Sequence, residues 1–146
     1  MAVELQDHPG RVIARLARQV ELAAATVDLT LSQYRALTHL AEGKEAASAL
    51  ADKLAVSRPS VTGVIDGLVA RGLVERHHDA GDRRRIGLDV TPEGSRVLAA
   101  ADAEIERRLN EVASHGPQPG FDSLTPWREA LDAYRSAKHL AKVGAA

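Results

Sequence analysis

At 146 residues, 45% hydrophobic and 27% charged, the chain has the size and composition of one globular domain able to bury its own core. It contains no cysteine, which excludes disulfides, thiolate metal sites, cysteine nucleophiles and cysteine-based redox sensing. Net charge is only −1, yet residues 53–85 carry seven Lys/Arg against four Asp/Glu (+3), between flanks of −2 each. That asymmetry is expected of a chain in which one module faces phosphates and the rest does not.

Aromatic residues make up 3% of the chain while alanine and leucine dominate, which favours helix-rich packing. The first ten residues, MAVELQDHPG, carry acids and no apolar run follows, so a soluble, cytoplasmic protein is expected. In chain order, a first helix is predicted from about Pro9 to Val27, with Ile13, Leu16, Ala17, Val20, Ala24 and Val27 forming an apolar stripe. A second begins at Thr30, where Thr30 and Gln33 have capping-box spacing. Its predicted buried face is Tyr34, Leu37, Leu40 and Ala41, and Gly43 ends it.

A short third helix is predicted over Ala47–Leu54, with Leu50, Ala51 and Leu54 facing inward. Ser57 then caps a fourth helix, with Pro59 in its first turn and Val61, Val64, Ile65, Leu68 and Val69 as its stripe. Gly72 is a left-handed stop. Leu73–His78 and Arg84–Val90 read as strands, because Ile86, Leu88 and Val90 alternate with Gly87 and Asp89. The predicted hairpin tip between them is Asp79–Arg83. Thr91 and Pro92 open a fifth helix to about Ala113, and a last helix spans about Pro126–Lys142.

Helix, helix, tight turn, helix, β-hairpin is the order of a winged helix-turn-helix, in which a helix enters the major groove and the hairpin follows the backbone or minor groove. The fourth helix suits that role: its N-terminal amides favour phosphate, and its leading residues are Ser57, Arg58, Ser60, Thr62 and Gly63. Gly63 and Gly67 lie inside it, each at a cost of about 1 kcal/mol against alanine, for close approach to the duplex or as tolerated surface residues. The hairpin carries Asp82, Arg83, Arg84 and Arg85, and three successive guanidiniums on a narrow turn call for an anion. An arginine run elsewhere is usually only a solvated loop.

Other chemistries are poorly represented. No histidine pair has the i, i+4 spacing of a helical metal site, and adjacent His77 and His78 point to opposite faces of a strand. No nucleophile elbow, phosphate loop or paired-carboxylate site occurs, so neither an enzyme, a cofactor nor a metal is expected. A winged module that instead binds an acidic protein is the alternative, separable by the steep salt dependence of DNA affinity.

Six segments, in order, resemble the MarR family of transcription regulators: Leu31–Leu37 (LSQYRAL), Leu50–Ser57 (LADKLAVS), Val61–Leu68 (VTGVIDGL), Arg71–Arg76 (RGLVER), Asp82–Arg84 and Leu88–Gly94 (LDVTPEG). The resemblance implies a mainly α fold with a small β-hairpin wing. It also implies a single domain with a winged lobe at about 30–91 and dimerisation helices at about 9–27 and 92–142. An obligate homodimer would bind a pseudo-palindromic operator on double-stranded DNA, most simply as a repressor. By position, Ser60 and Thr62 would face the major groove, Asp82 would brace the wing, and Arg84 would reach the minor groove. Small aromatic or phenolic effectors are implied in a cleft where Tyr34, Arg35 and His39 lie, with Trp127 a further candidate. Many members carry arginine where this chain has Gly63, so base reading here leans on Arg58, the hydroxyls and the wing.

Overall fold

The computed structural model describes residues 8–43, 45–54, 57–116 and 124–145. Its elements are α1 (Pro9–Ala25), α2 (Leu31–Glu42), β1 (Glu45–Ala46), α3 (Ala47–Leu54), α4 (Arg58–Ala70), β2 (Val74–Asp79), β3 (Asp82–Val90), α5 (Pro92–Ser114) and α6 (Thr125–Gly144). The chain is mainly α with a small antiparallel wing, as its sequence predicts. It divides into two compact units, Met1–Leu109 and Asn110–Ala146.

Local chemistry sets most boundaries. The Gln33 amide donates to Thr30 Oγ1 at 3.1 Å and the Thr30 amide to Gln33 Oε1 at 3.0 Å, completing the capping box of α2. Ser57 caps α4, accepting from the Ser60 amide at 3.4 Å. Gly72, with φ +70°, turns the chain out of α4 where a side chain would be strained. Between α1 and α2 the turn takes a non-glycine into the left-handed region, Asp28 at φ 58°.

The core of the first unit lies where α2, α3, α4 and the sheet meet. Leu37 and Leu40 pack with Leu50 and Leu54, with Val61, Ile65 and Leu68, and with Leu73, Val74 and Leu88. Each such side chain contributes roughly 1.5–3 kcal/mol by leaving water. The α4 stripe is buried at Val61, Ile65 and Leu68, with Val64 and Val69 half-buried around them. On α2 the buried positions are Ala36, Leu37 and Leu40; Tyr34 is half-buried and Ala41 is exposed, because the stripe is centred one residue earlier than predicted.

The sheet has order β1-β3-β2, all antiparallel. β1, which the sequence reading missed, pairs Glu45 with Leu88 and Ala46 with Gly87. The hairpin is tighter than predicted: Asp79 pairs with Asp82, leaving Ala80 and Gly81 as the turn. The arginine run therefore lies on β3 itself.

From α2 the Tyr34 hydroxyl donates to Asp102 on α5 at 2.7 Å. Burial first, then that hydrogen bond and the carboxylate charge, hold the phenol above its ordinary pKa, so it stays a donor at physiological pH. Tyr34→Phe should lower unfolding free energy by about 1 kcal/mol in urea denaturation, since exposed Asp102 can turn to water. No loss would show that this α2–α5 bond contributes nothing.

The apolar side chains of α6 find no cover within their own unit, and those at the start of α1 are only partly covered. On α1, Ala23 and Ala24 are fully buried, but Ile13, one of the predicted stripe residues, is 59% exposed beside exposed Val12. At the α6 N-cap Leu124 is exposed; on α6 itself Trp127, Leu131 and Tyr134 are exposed along one face, Leu140 and Val143 are exposed across the helix from them, and no described α6 residue is buried.

Candidate nucleic-acid interface

The leading end of α4 is open. Ser57, Ser60, Thr62 and Gly63 are exposed, while Val61, Ile65 and Leu68 anchor the opposite face in the core. Ser57 and Ser60 share a hydroxyl–hydroxyl hydrogen bond of 2.8 Å, which orients both oxygens at the helix entrance. A Cβ built on Gly63 would meet nothing within 4 Å, so neither packing nor a left-handed backbone calls for glycine there. Gly67 has a reason that was not foreseen: a Cβ would come 2.9 Å from Gln33 Nε2, so this glycine admits the α2 capping side chain.

The wing is fastened to this helix. On β2, Arg76 forms an ion pair with Asp66 on the α4 surface. Further along the strand, the His77 ring lies across Gly87 of β3, where any Cβ would sit 2.2 Å from its Nε2, and His77 Nδ1 is 3.0 Å from Asp89. A side chain at position 87 would have to displace the half-exposed His77 ring from where it rests. Arg84 is exposed on β3; the side chains of Arg58, Asp82, Arg83 and Arg85 lie outside the described set. The predicted DNA-facing residues thus fall on two neighbouring elements, α4 and β3, with β2 between them in sequence and bonded to both. The Asp66–Arg76 pair and the His77–Gly87 contact were missed, having no local sequence pattern.

The predicted effector residues are placed differently. Tyr34 is committed to Asp102, and Arg35 donates to the Leu54 carbonyl at 3.1 Å, closing the end of α3. His39 is half-buried on α2, with Nδ1 4.0 Å from Glu42. Trp127 is 67% exposed on α6, in the other unit. Among the described residues no cluster of three His, Asp or Glu could hold a metal ion.

An open helix following a helix-turn-helix, with a short antiparallel hairpin fastened beside it, defines a winged helix-turn-helix protein. Residues 27–85 match the model of the MarR family. An uncharacterized HTH-type transcriptional regulator of Mycobacterium leprae is 38% identical over 61% of this chain and 63% of its own length. The HTH-type transcriptional regulator FarR of Neisseria gonorrhoeae is 33% identical over 58% of this chain and 59% of its own. The chain thus spans about three-fifths of the length of the curated relatives it matches. NadR, solved in complex with 4-hydroxyphenylacetate, superposes with a TM-score of 0.70 at 25% identity, over 92% of this chain and 96% of that one. Over residues 27–85 this chain is thus similar to the MarR family, and its winged-helix fold is shared with NadR.

Proposed function

We propose that the protein is a sequence-specific, double-stranded DNA-binding transcription regulator. It binds a pseudo-palindromic operator as a homodimer, acts as a repressor in the cytoplasm, and is not an enzyme. The observation that carries this reading is the exposed leading end of α4, held at a fixed place beside the arginine-bearing hairpin by the Asp66–Arg76 pair. In each half-site α4 would enter the major groove. Ser57, Ser60 and Thr62 would donate to phosphates and base edges, Gly63 would allow close approach, and Arg58 would read a guanine edge. Asp82 would brace the wing while Arg84, flanked by Arg83 and Arg85, follows the minor groove.

The homodimer rests on the exposed apolar side chains of α6 and of the start of α1. A run of large apolar side chains more than half exposed on a twenty-residue helix marks an interface, and a two-fold mate is the commonest partner. No described helix is long and apolar enough to cross a membrane. For release we infer a small aromatic or phenolic effector near Tyr34, Arg35 and His39. The phenolic ligand of NadR supports this class. Binding there would need to break or borrow the Tyr34–Asp102 bond, giving the ligand different affinities for the DNA-bound and released lobe arrangements.

The test is fluorescence anisotropy with duplexes from the intergenic DNA upstream of the protein's own reading frame, over a salt series. Specific binding should fall steeply with salt. Arg84→Ala should weaken specific and random DNA alike and flatten the salt slope by about one, whereas Arg58→Ala should cost about 1–3 kcal/mol on the operator only. Equal losses on operator and random DNA for Arg58→Ala would remove its assigned role. Affinity insensitive to salt would sink the DNA reading in favour of a protein partner.

A further inference from the structure

Three residues, Arg71, Gly72 and Leu73, join α4 to β2, and all three are bound by residues at the roots of other helices. Arg71, the C-cap of α4, donates from its guanidinium to the carbonyl of Asp28 and, at 3.3 Å, to that of Val27. Both carbonyls lie just past the end of α1. The Gly72 carbonyl accepts from Thr91 Oγ1 at 2.6 Å, and the Leu73 carbonyl accepts from the Thr91 amide at 3.0 Å. Thr91 is also the cap of α5, accepting from the Gly94 amide at 3.0 Å. The end of α1 and the start of α5 therefore converge on the one link that joins the recognition helix to the wing.

The α1 side of this junction is held under constraint. Asp28 occupies the left-handed region, which a residue with a Cβ adopts only where its surroundings fix it. Leu29 supplies one fixation, with its side chain buried and its amide donating to Ala24 at 3.0 Å. The Arg71 guanidinium supplies the other. Its charge sits at the C-terminal ends of two helices at once, α4 and α1, where the macrodipoles favour a cation. Nothing about folding alone demands this: the bonded carbonyls are near the surface, and water could satisfy them.

We propose that Arg71 is a positioning residue for operator recognition, bonding the α1–α2 turn so that α4 and the wing hold one angle to α1 and α5. In a dimer joined through α1 and through α6, to which α5 leads in the chain, that angle sets the distance between the two recognition helices, and so the half-site spacing the protein accepts. This inference rests on the DNA-binding homodimer reading. It gives the Arg71–Arg76 and Leu88–Gly94 segments, which carry no direct base contact, a role in recognition.

The test is selection from a library of random-sequence duplexes by the full-length protein, followed by sequencing, with wild type, Arg71→Gln and Asp28→Gly in parallel. The wild type should enrich paired half-sites at a single centre-to-centre spacing, near one or two helical turns of about 10 base pairs. Arg71→Gln should enrich the same half-site sequence over a spread of neighbouring spacings. Its affinity for the wild-type operator should fall by about tenfold, with affinity for an isolated half-site unchanged. Asp28→Gly removes the Cβ that restricts the turn, keeps the carbonyl and suits a positive φ. It should fold at least as well as wild type and broaden the spacing in the same direction, which keeps the proposal exposed should Arg71→Gln fail to fold.

A single unchanged spacing in the folded variants overturns the positioning role. So does an altered half-site sequence with Arg71→Gln, which would mean that the guanidinium touches DNA directly. Failure of the wild type itself to enrich any paired motif is a different result: it removes the regulator reading and this proposal with it.

Discussion

Leu131→Glu should convert the proposed homodimer to a monomer in sedimentation or light scattering and lower operator affinity by two to three orders of magnitude. Leu131 sits at the centre of the α6 stripe between Trp127 and Tyr134, one helical turn from each, and is 60% exposed in its own chain. Covering a leucine by a partner is worth about 2 kcal/mol. A two-fold interface counts it twice, so losing both removes about 4 kcal/mol, roughly a thousandfold in the dimer constant, before the cost of burying the new carboxylates. A lobe that engages alone also loses the second, effectively intramolecular contact, commonly a factor of 10²–10⁴. The first unit should survive, because none of its core residues comes from α6. Ser136→Glu is the control: Ser136 lies across α6 from Leu131, on the side that carries Leu140 and Val143, and its hydroxyl donates to the Asp132 carbonyl. The dimer should persist if the face of Trp127, Leu131 and Tyr134 is the one covered. If Leu131→Glu remained dimeric, the α6 stripe would not be the interface.

What the sequence made legible was whatever is encoded within a few residues. The Thr30–Gln33 box, the Ser57 cap, the Gly72 stop and the Thr91–Pro92 start each act over one turn, and the structure has helix ends at all four. The period-two pattern of Ile86, Leu88 and Val90 likewise marks β3. β1 escaped because two residues carry no period, and Glu45 and Ala46 form a strand only by pairing with Leu88 and Gly87. The hairpin tip was drawn too wide since Asp79 and Asp82, good turn formers, face each other as the last strand pair. Contacts between residues distant in sequence were illegible for a simpler reason. Tyr34 and Asp102 are 68 positions apart and Arg71 and Asp28 are 43, so no local pattern announces either pair. The same limit applies to the site: exposure of Ser60 and Thr62 followed from the stripe opposite them, but the Asp66–Arg76 fastening did not.

Two glycines within helices should respond oppositely to the same substitution, and the larger effect belongs to Gly94. A Cβ at Gly94, in the first turn of α5, would lie 2.1 Å from the Leu73 carbonyl oxygen and 2.9 Å from Val90 Cγ1. The valine methyl can rotate; the carbonyl cannot retreat, since it accepts from the Thr91 amide and belongs to a buried residue. Alanine normally gains about 1 kcal/mol over glycine inside a helix, but overpacking against fixed backbone costs about 1–3 kcal/mol and more where nothing yields. Gly94→Ala should therefore lower unfolding free energy by about 2 kcal/mol and Tm by roughly 5–10 °C, measured by calorimetry. At Gly63 the added methyl meets open space, so Gly63→Ala should raise stability by up to about 1 kcal/mol. Because the same methyl would point toward the duplex, a loss of operator affinity alongside that gain would identify close approach as the reason for glycine there. An unchanged or raised stability for Gly94→Ala would mean that the Leu73 carbonyl is not the obstacle.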